Sequence, residues 1–347
     1  MPKAKKREQS PLLKTLSAVH ELPERVIETY ARLWQLEVWL RRMVYVEFRA
    51  AYGDEWEDNI STKNATNSRR ADCRLKHMPT PEHDLLSYST FSELCSTIEN
   101  KWDYFQPYLP PKDLWIAKIA EIKQIRNRVS HFRRGHYDDL ARTIQLLRDL
   151  DQGFWRFCTS YNDTFPVLPP SEDPVIHNFT HLNPFPYQKV GDNKWAIMGI
   201  ADPNAWFAMK IEIISRPWIS QNIEYPIESK SGFLYKVIIV GRKQRTFDYQ
   251  RYFDDTKKLH KHFVYMIPSS ISHSLDITIP SVLGKDKIME IIDELIKWLS
   301  NSLDSTFQKL PDDGVKALAD EMPEYILSPS NPLSFLTSSM PCSFFGV

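Results

Sequence analysis

The sequence predicts a mainly α amino-terminal helical bundle followed by a smaller α+β domain. In the first half of the chain, apolar residues recur every three or four positions, as they do on one face of an α-helix. After residue 174 they form short runs rich in β-branched and aromatic residues, which are typical of strands. Between the halves, the stretch FPVLPPSEDP holds four prolines in ten residues and cannot continue a helix.

These patterns divide the 347 residues into successive segments. The hydrophobic share of 42% is sufficient for the cores of two domains of ordinary size. The predicted order is a basic amino-terminal segment over 1–19, a helical bundle over 20–165, a proline-rich linker over 166–174, an α+β domain over 175–303 and a carboxyl-terminal tail over 304–347.

Long helices are predicted throughout the bundle. The first runs from Pro23 to Ala51, because proline favours a first helical turn and Gly53 favours a helix end. The polar stretch over 53–84 is predicted as an insertion. The remaining helices are expected around Ser92–Tyr104, Asp113–His131 and Tyr137–Tyr161.

The α+β domain is predicted to contain several strands and one long helix. The strands are WAIMGIA, WFAMKIEII, FLYKVIIVG, FVYMIP and LDITIP, and the helix is KDKIMEIIDELIKWLSNSL. Within KKLHKHF, His260 and His262 are expected on one side of a strand, where they would form a solvated basic face; contact with RNA is the less favoured alternative.

Composition narrows the classes of partner and cofactor. Lysine plus arginine equals aspartate plus glutamate at 44 each, so a polyanion would have to bind a local basic patch. The four cysteines show no CxxC spacing, which predicts reduced thiols in a cytoplasmic protein, with no metal site or other cofactor. The longest apolar run, FLYKVIIV, is far below the ~20 residues of a membrane-spanning helix, so no membrane partner is expected.

The helix predicted to end at His131 carries a basic face opposite its core face. Each residue of an ideal helix advances about 100°, which places Asn127 and His131 on one side, with Arg126 and Arg128 at the boundary. The opposite, apolar side consists of Ile119, Ile122, Ile125, Val129 and Phe132. A solvated face whose cations favour the helix dipole is the simpler alternative to a functional site.

The first helix carries an acid within its apolar stripe. Glu37 falls among apolar residues at three- and four-residue spacing, namely Val26, Tyr30, Leu33, Leu40, Val44 and Phe48. An unpaired buried charge is strongly unfavourable, so Glu37 is expected to pair with Arg126, Arg128 or Asn127 if the two helices pack together. The alternative is that the helix edge is exposed at Glu37.

The hexapeptide from Arg126 to His131 resembles the R-N-x-x-x-H motif of HEPN-domain ribonucleases, the helical toxins of toxin–antitoxin and abortive-infection systems. Its position at the end of a long helix, before one more long helix, is also similar, and the likeness covers roughly residues 20–161. The resemblance implies a HEPN-like bundle, RNA as substrate, metal-independent cleavage and a homodimer in which two motifs share one cleft. It makes Glu37 the counterpart of an acid in the family's first helix.

Under this resemblance, the catalytic residues are Arg126, Asn127 and His131. His131 would transfer a proton because imidazole titrates near neutral pH, Arg126 would bind the phosphate through paired donors, and Asn127 would orient either group. Arg126 and His131 lie about 140° apart on an ideal helix, so they converge only if the helix distorts near its end or through the reach of the arginine. The predicted supporting residues are Glu37 and Arg128, and the predicted RNA-binding residues are Lys123, Arg133 and Arg134.

The leading hypothesis is a metal-independent endoribonuclease of toxin or abortive-infection type that acts in antiviral defence. An antitoxin, a regulatory RNA or a trigger is then expected to act through the α+β domain. The alternative is a non-catalytic RNA-binding or scaffold protein that uses the bundle for dimerisation. A third hypothesis is that the α+β domain is itself an enzyme. The sequence of that domain shows no phosphate loop, metal cluster or nucleophile motif to support it.

Overall fold

A computed structural model describes most of the chain and confirms a helical first part followed by an α+β part. The predicted basic segment 1–19 lies outside the described residues, as do residues 305–311 of the predicted tail. The described residues are 23–60, 63–78, 82, 84–163, 167, 170–192, 194–199, 206–219, 227–270, 272–304, 312–340 and 343–347.

The helical part is built around one long central helix. Helix α1 begins directly after Pro23 and ends at Gly53, whose φ of 58° suits glycine and whose N–H donates to the Arg49 carbonyl. It packs against α3, α5 and α6, and α3 also packs against α5. The helices of this part are α1 (Glu24–Tyr52), α2 (Lys63–Cys73), α3 (Phe91–Asn100), α4 (Trp102–Phe105), α5 (Lys112–Ser130) and α6 (Asp139–Thr159).

The α+β part contains a four-stranded antiparallel sheet in the order β3-β4-β7-β6. Its strands are β3 (Phe207–Ser215), β4 (Phe233–Gly241), β6 (Tyr265–Pro268) and β7 (Ser274–Pro280). A hairpin of β1 (Tyr187–Gly191) and β2 (Lys194–Ile197) precedes the sheet, and β5 (Thr246–Phe247) pairs with β8 (Leu303–Asp304). The helices are α7 (Pro174–Phe179), α8 (Tyr249–Thr256), α9 (Lys285–Ser302), α10 (Asp312–Glu321) and α11 (Pro332–Phe335).

The two faces of the sheet pack against different partners. In-register residues Ile211, Val237 and Ile277 share a core with α9, because alternate side chains of a strand point to the same face. The other face contributes Ile214 and Leu234 to the core of the helical part. Every residue of α1 from 43 to 51 is therefore buried, since the sheet covers the side that would otherwise meet solvent.

A buried ion pair joins the two parts of the molecule. Glu47 of α1 and Arg216, which follows β3, are both fully inaccessible to solvent, and Arg216 Nη2 lies 2.7 Å from Glu47 Oε1. The Glu47 carboxylate also accepts hydrogen bonds from the Tyr108 hydroxyl at 3.0 Å and from Trp218 Nε1 at 2.7 Å. Burial favours the neutral form of Arg216, but the carboxylate of Glu47 outweighs it and raises the pKa of the guanidinium. The guanidinium of Arg216 therefore stays charged inside the protein.

Segments predicted as linker and tail contribute to the packed cores. Val167 is buried, and the buried Asp173 carboxylate accepts a hydrogen bond of 2.6 Å from the Tyr235 hydroxyl. At the carboxyl end, Phe345 enters the core of the helical part. Its N–H donates to Asp151 Oδ1 at 2.8 Å, and its carbonyl accepts from Arg32 Nη1 at 2.8 Å. Phe345 is therefore held against the helical part by apolar packing and by two hydrogen bonds.

The prediction of a solvated strand at His260 and His262 is wrong. Both residues lie in a short 3-10 helix over Lys257–His262 and are buried. The His260 ring is 3.1 Å from the Thr256 hydroxyl and 3.1 Å from the Tyr325 hydroxyl. His262 Nδ1 lies 2.6 Å from Asp54 Oδ2, so a residue of the α+β part is tied to the helical part.

We expect His260 to lower the stability of the protein in acid. Burial, with a smaller effect of Lys257, lowers the pKa of His260 to about 4. Between that value and the unfolded pKa of about 6.5, the unfolded chain binds more protons, so the contribution of His260 is complete above pH 6.5 and is lost as the pH falls towards 4. The loss should amount to roughly 3 kcal/mol.

The measurement compares urea unfolding of the wild type and His260→Asn, which cannot titrate, at pH 7 and pH 4.5. The free-energy advantage of the wild type should shrink at pH 4.5. The pKa of Asp84, raised to about 6 by burial, changes stability in the opposite direction, but it does so in both proteins and cancels in the difference. An advantage that is independent of pH would contradict the prediction.

Within the described ranges, no helix combines the length and the apolar character that crossing a membrane requires.

Candidate functional site

The end of α5 presents the predicted motif to solvent. The core face of α5 is buried as predicted at Ile119, Ile122, Ile125 and Val129. Asn127 and His131 are exposed, and Arg126 is about one-third exposed at its side chain. The remaining member of the predicted apolar side, Phe132, is 97% exposed, so its placement in the core was wrong.

The helix end explains the position of Phe132. His131 has left helical geometry, with φ −95° and ψ 19°, and Phe132 has a left-handed φ of 53°. The N–H of Arg133 donates to the Arg128 carbonyl at 2.9 Å, and the N–H of Phe132 donates to the Val129 carbonyl at 3.1 Å. This pairing is the Schellman ending of a helix, which usually places glycine at the left-handed position. The reversal therefore begins at Phe132, after the motif, and the cleft that Arg126 lines does not include His131 among its lining residues.

Glu37 lies beneath the motif, where it was predicted to lie. Its side chain is 14% exposed, and its Oε2 is 3.9 Å from Arg126 Nε, so the predicted ion pair with Arg126 is present. A closer partner was not predicted: Arg41 Nη2 is 2.5 Å from Glu37 Oε1. Arg41 follows Glu37 by four residues, a spacing that places both side chains on one face of α1. The carboxylate therefore bridges two guanidinium groups.

Arg128 pairs with Asp139, whereas the predicted option was a pair with Glu37. Its guanidinium forms a two-point contact with the buried Asp139 carboxylate at the start of α6, with Nε 3.1 Å from Oδ2 and Nη2 on Oδ1. The N–H of His136 donates to the same carboxylate at 2.8 Å. Burial raises the pKa of Asp139, but these hydrogen bonds outweigh it and lower the pKa overall. Arg128 thus holds the loop between α5 and α6 in place.

The predicted RNA-binding side chains surround the motif. Arg133 and Arg134 are exposed, and neither forms an ion pair with another residue in the described part of the chain. Lys123 is 3.9 Å from Glu99 and remains about one-quarter exposed. The end of α5 is therefore a local basic patch on a chain without net charge.

An aromatic rim beside the motif was missed by sequence reasoning. Tyr30, predicted to lie in the core stripe of α1, is 56% exposed, and Trp34, one turn later, is 61% exposed. Both line a surface cleft of about 420 Å³ that also contains Arg41, Arg126 and Phe132. The sequence signal for this rim is a pair of large aromatic side chains four residues apart. They lie beside the continuous apolar stripe of α1 at Leu33, Leu36 and Leu40 and not within it.

Comparison with models of known protein families, with curated proteins and with solved structures gave no match to this chain. A functional assignment therefore depends on the groups at the end of α5. A guanidinium can bind a phosphate through several N–H donors, an imidazole can accept or donate a proton, and a carboxamide can donate or accept a hydrogen bond. Together these groups suit general acid–base chemistry on a phosphodiester.

We expect two substitutions of Glu37 to distinguish the effect of its side-chain shape from the effect of its negative charge. Glu37→Leu leaves two partly buried guanidinium groups without their carboxylate and should lower the free energy of unfolding by about 1–3 kcal/mol. Glu37→Gln keeps the shape and one acceptor, so it should cost less stability while weakening the hold on Arg126 and the RNA cleavage proposed below. Urea unfolding and cleavage rates measure the two effects.

The matched control is Glu28→Leu, an exposed acid in the same helix. It should leave both stability and cleavage close to those of the wild type. Equal stability of Glu37→Leu and Glu28→Leu would show that the bridge does not stabilise the bundle.

Proposed function

We propose that the protein is a metal-independent endoribonuclease of toxin or abortive-infection type, built on a HEPN-like bundle. The observation that carries the proposal is the solvent-facing group of Arg126, Asn127 and His131 at the end of α5, with Arg126 paired to the semi-buried Glu37. A basic patch with an imidazole in it provides both phosphate binding and proton transfer, whereas a simple solvated helix face needs no carboxylate beneath it.

The proposed reaction uses the ribose 2′-hydroxyl as nucleophile. A base removes the 2′-hydroxyl proton, the 2′-oxygen forms a bond to phosphorus, and the bond from phosphorus to the 5′-oxygen breaks. An acid protonates the departing 5′-oxygen, so the products carry a 2′,3′-cyclic phosphate and a 5′-hydroxyl. Arg126 stabilises the negative charge that accumulates on the phosphate oxygens, and His131 transfers a proton.

A homodimer supplies the second proton-transfer group in this proposal. One motif holds one histidine, while the reaction needs a base and an acid at the same time. Two copies related by a twofold axis would bring a second His131 and a second Arg126 to a shared cleft. The exposed position of both side chains is compatible with such a cleft.

The experiment incubates the purified protein with a mixed-sequence RNA, with and without a chelator, and identifies the product ends. We expect equal cleavage in both conditions and 2′,3′-cyclic phosphate ends. A matched DNA, which lacks the 2′-hydroxyl, should stay intact. Cleavage that stops with the chelator, or that cuts the DNA, would overturn the proposed mechanism. RNA binding without cleavage would instead identify a non-catalytic RNA-binding protein.

A further inference from the structure

We propose that Phe132 and Trp34 form a stacking platform for an unpaired base of single-stranded RNA. The platform is the aromatic rim of the cleft that contains Arg126. This inference rests on RNA being the ligand of the proposed function, but it does not depend on cleavage. It assigns a substrate class, unpaired rather than double-stranded RNA, and it assigns residues outside the R-N-x-x-x-H motif.

The backbone of Phe132 is the first argument. A left-handed φ is rare for a bulky side chain and favours glycine, so phenylalanine destabilises this helix ending. The ring is 97% exposed and makes no aromatic contact within the described ranges, so packing does not compensate for that cost. A strained, solvent-exposed ring directly after His131 indicates a role in binding rather than in folding.

The position of Trp34 is the second argument. Trp34 and Tyr30 are one turn apart on α1, and both rings are more than half exposed. They line the same cleft as Phe132, although α1 and the end of α5 are about one hundred residues apart in the sequence. The tertiary fold therefore gathers exposed aromatic rings from two elements into one surface.

The charges around these rings favour a polyanion. In the cleft, Arg41 and Arg126 outnumber the one carboxylate, Glu37, with which both pair. Arg133 and Arg134 follow Phe132 directly and are exposed. A nucleic-acid strand brings phosphates to these arginines, which an uncharged apolar ligand would leave without an anion. Alternating aromatic and cationic groups are the usual means of binding a single strand.

The state of the RNA follows from the chemistry of stacking. In a duplex, both faces of each base are already stacked on neighbouring bases, so a protein ring cannot reach them. An unpaired base offers a free face to Phe132 or Trp34 while its phosphate contacts an arginine of the cleft. The cleft volume of about 420 Å³ lies within the range of roughly 300–1,000 Å³ that holds small organic groups.

The test measures RNA binding in a His131→Ala background, which keeps the RNA intact. The probe is a single-stranded RNA dodecamer carrying 2-aminopurine, whose fluorescence falls when the base stacks, and the competitor is a duplex of the same length. The variants are Phe132→Gly and Trp34→Ala. The control is Phe185→Ala, an exposed phenylalanine in the α+β part.

Phe132→Gly removes the ring without disturbing the fold, because glycine suits the left-handed position. The variant should therefore not have a lower unfolding midpoint than its parent. We expect Phe132→Gly and Trp34→Ala each to weaken single-strand binding at least about fivefold and to reduce the fluorescence quench. The salt dependence of binding should not change, since no phosphate contact is removed. Phe185→Ala should bind like its parent.

Unchanged affinity and quench in both aromatic variants would overturn the platform, even if the wild type cleaves RNA. Equal affinity for the duplex competitor would overturn the assignment to single strands. A change of sedimentation from dimer to monomer in Phe132→Gly, with unchanged RNA affinity, would show that a second copy covers the rim and would also overturn it. If the fluorescence is quenched but the wild type does not cleave RNA, the result would support the platform and would contradict only the proposed nuclease activity.

Discussion

We expect His131→Ala and Arg126→Ala each to lower the rate of RNA cleavage by at least about a hundredfold. Removing a positioned proton-transfer group typically costs a factor of about 10²–10⁴, and loss of the guanidinium removes the charge that stabilises the phosphate as it reacts. Neither side chain belongs to the buried stripe of α5. In Arg126→Ala, Glu37 also keeps its closer partner Arg41, so both variants should unfold at nearly the same urea concentration as the wild type.

Matched controls separate the motif from its basic surroundings. His136→Ala removes another exposed histidine, which pairs with Asp138 at 2.9 Å, and Arg148→Ala removes an exposed arginine of α6. Both should cleave at close to the wild-type rate. Cleavage by His131→Ala at the rate of the wild type would end the assignment of the active site. An equal loss of cleavage rate in His136→Ala would indicate that cleavage depends on the basic surface as a whole and not on the motif.

The largest effect on stability should come from the ion pair that joins the two parts of the protein. Glu47→Leu leaves Arg216 inaccessible and without its carboxylate partner, and Arg216→Met leaves Glu47 inaccessible and without its guanidinium partner. Breaking a buried pair on one side typically costs about 3–5 kcal/mol, against a total stability of about 5–15 kcal/mol. Each single variant should therefore lose much of its stability or fail to accumulate as folded protein.

The double variant Glu47→Leu/Arg216→Met keeps the prediction testable if the single variants do not fold. Two apolar side chains of similar size leave no unpaired buried charge, so the double variant should be more stable than either single variant. The control is Lys297→Met, which breaks an exposed pair with Glu294 on α9 and should have little effect. A Glu47→Leu protein as stable as this control would contradict the prediction.

Much of the fold was predictable because its signals are local. The α5 prediction of Asp113–His131 differs by one residue at each end from Lys112–Ser130, and the strand FLYKVIIVG coincides with β4. Long periodic helices and runs of β-branched residues carry their structure in their own pattern. The prediction failed at His260 and His262, where a short basic stretch has no period long enough to distinguish a strand from a helical turn.

Errors at the candidate site arose where the chain reverses or where partners come from distant segments. Phe132 was assigned to the core because the ideal helix was continued past its end. Arg128 pairs with Asp139 of α6, which periodicity within α5 does not reveal. Glu47 was missed although it continues the stripe of Leu36, Leu40 and Met43, and its partner Arg216 lies in the other half of the chain.

The sequence by itself predicted the long helices, the main strands and the outward direction of Asn127 and His131. It left open whether Glu37 pairs with a cation or lies at an exposed helix edge. The tertiary structure decided that Glu37 bridges Arg41 and Arg126, and that Glu47 and Arg216 pair inside the protein. It also gathered Trp34 and Phe132 around one cleft. The physical reason is that the direction of a side chain follows from local backbone geometry, whereas its partner depends on how distant segments pack to bury apolar surface.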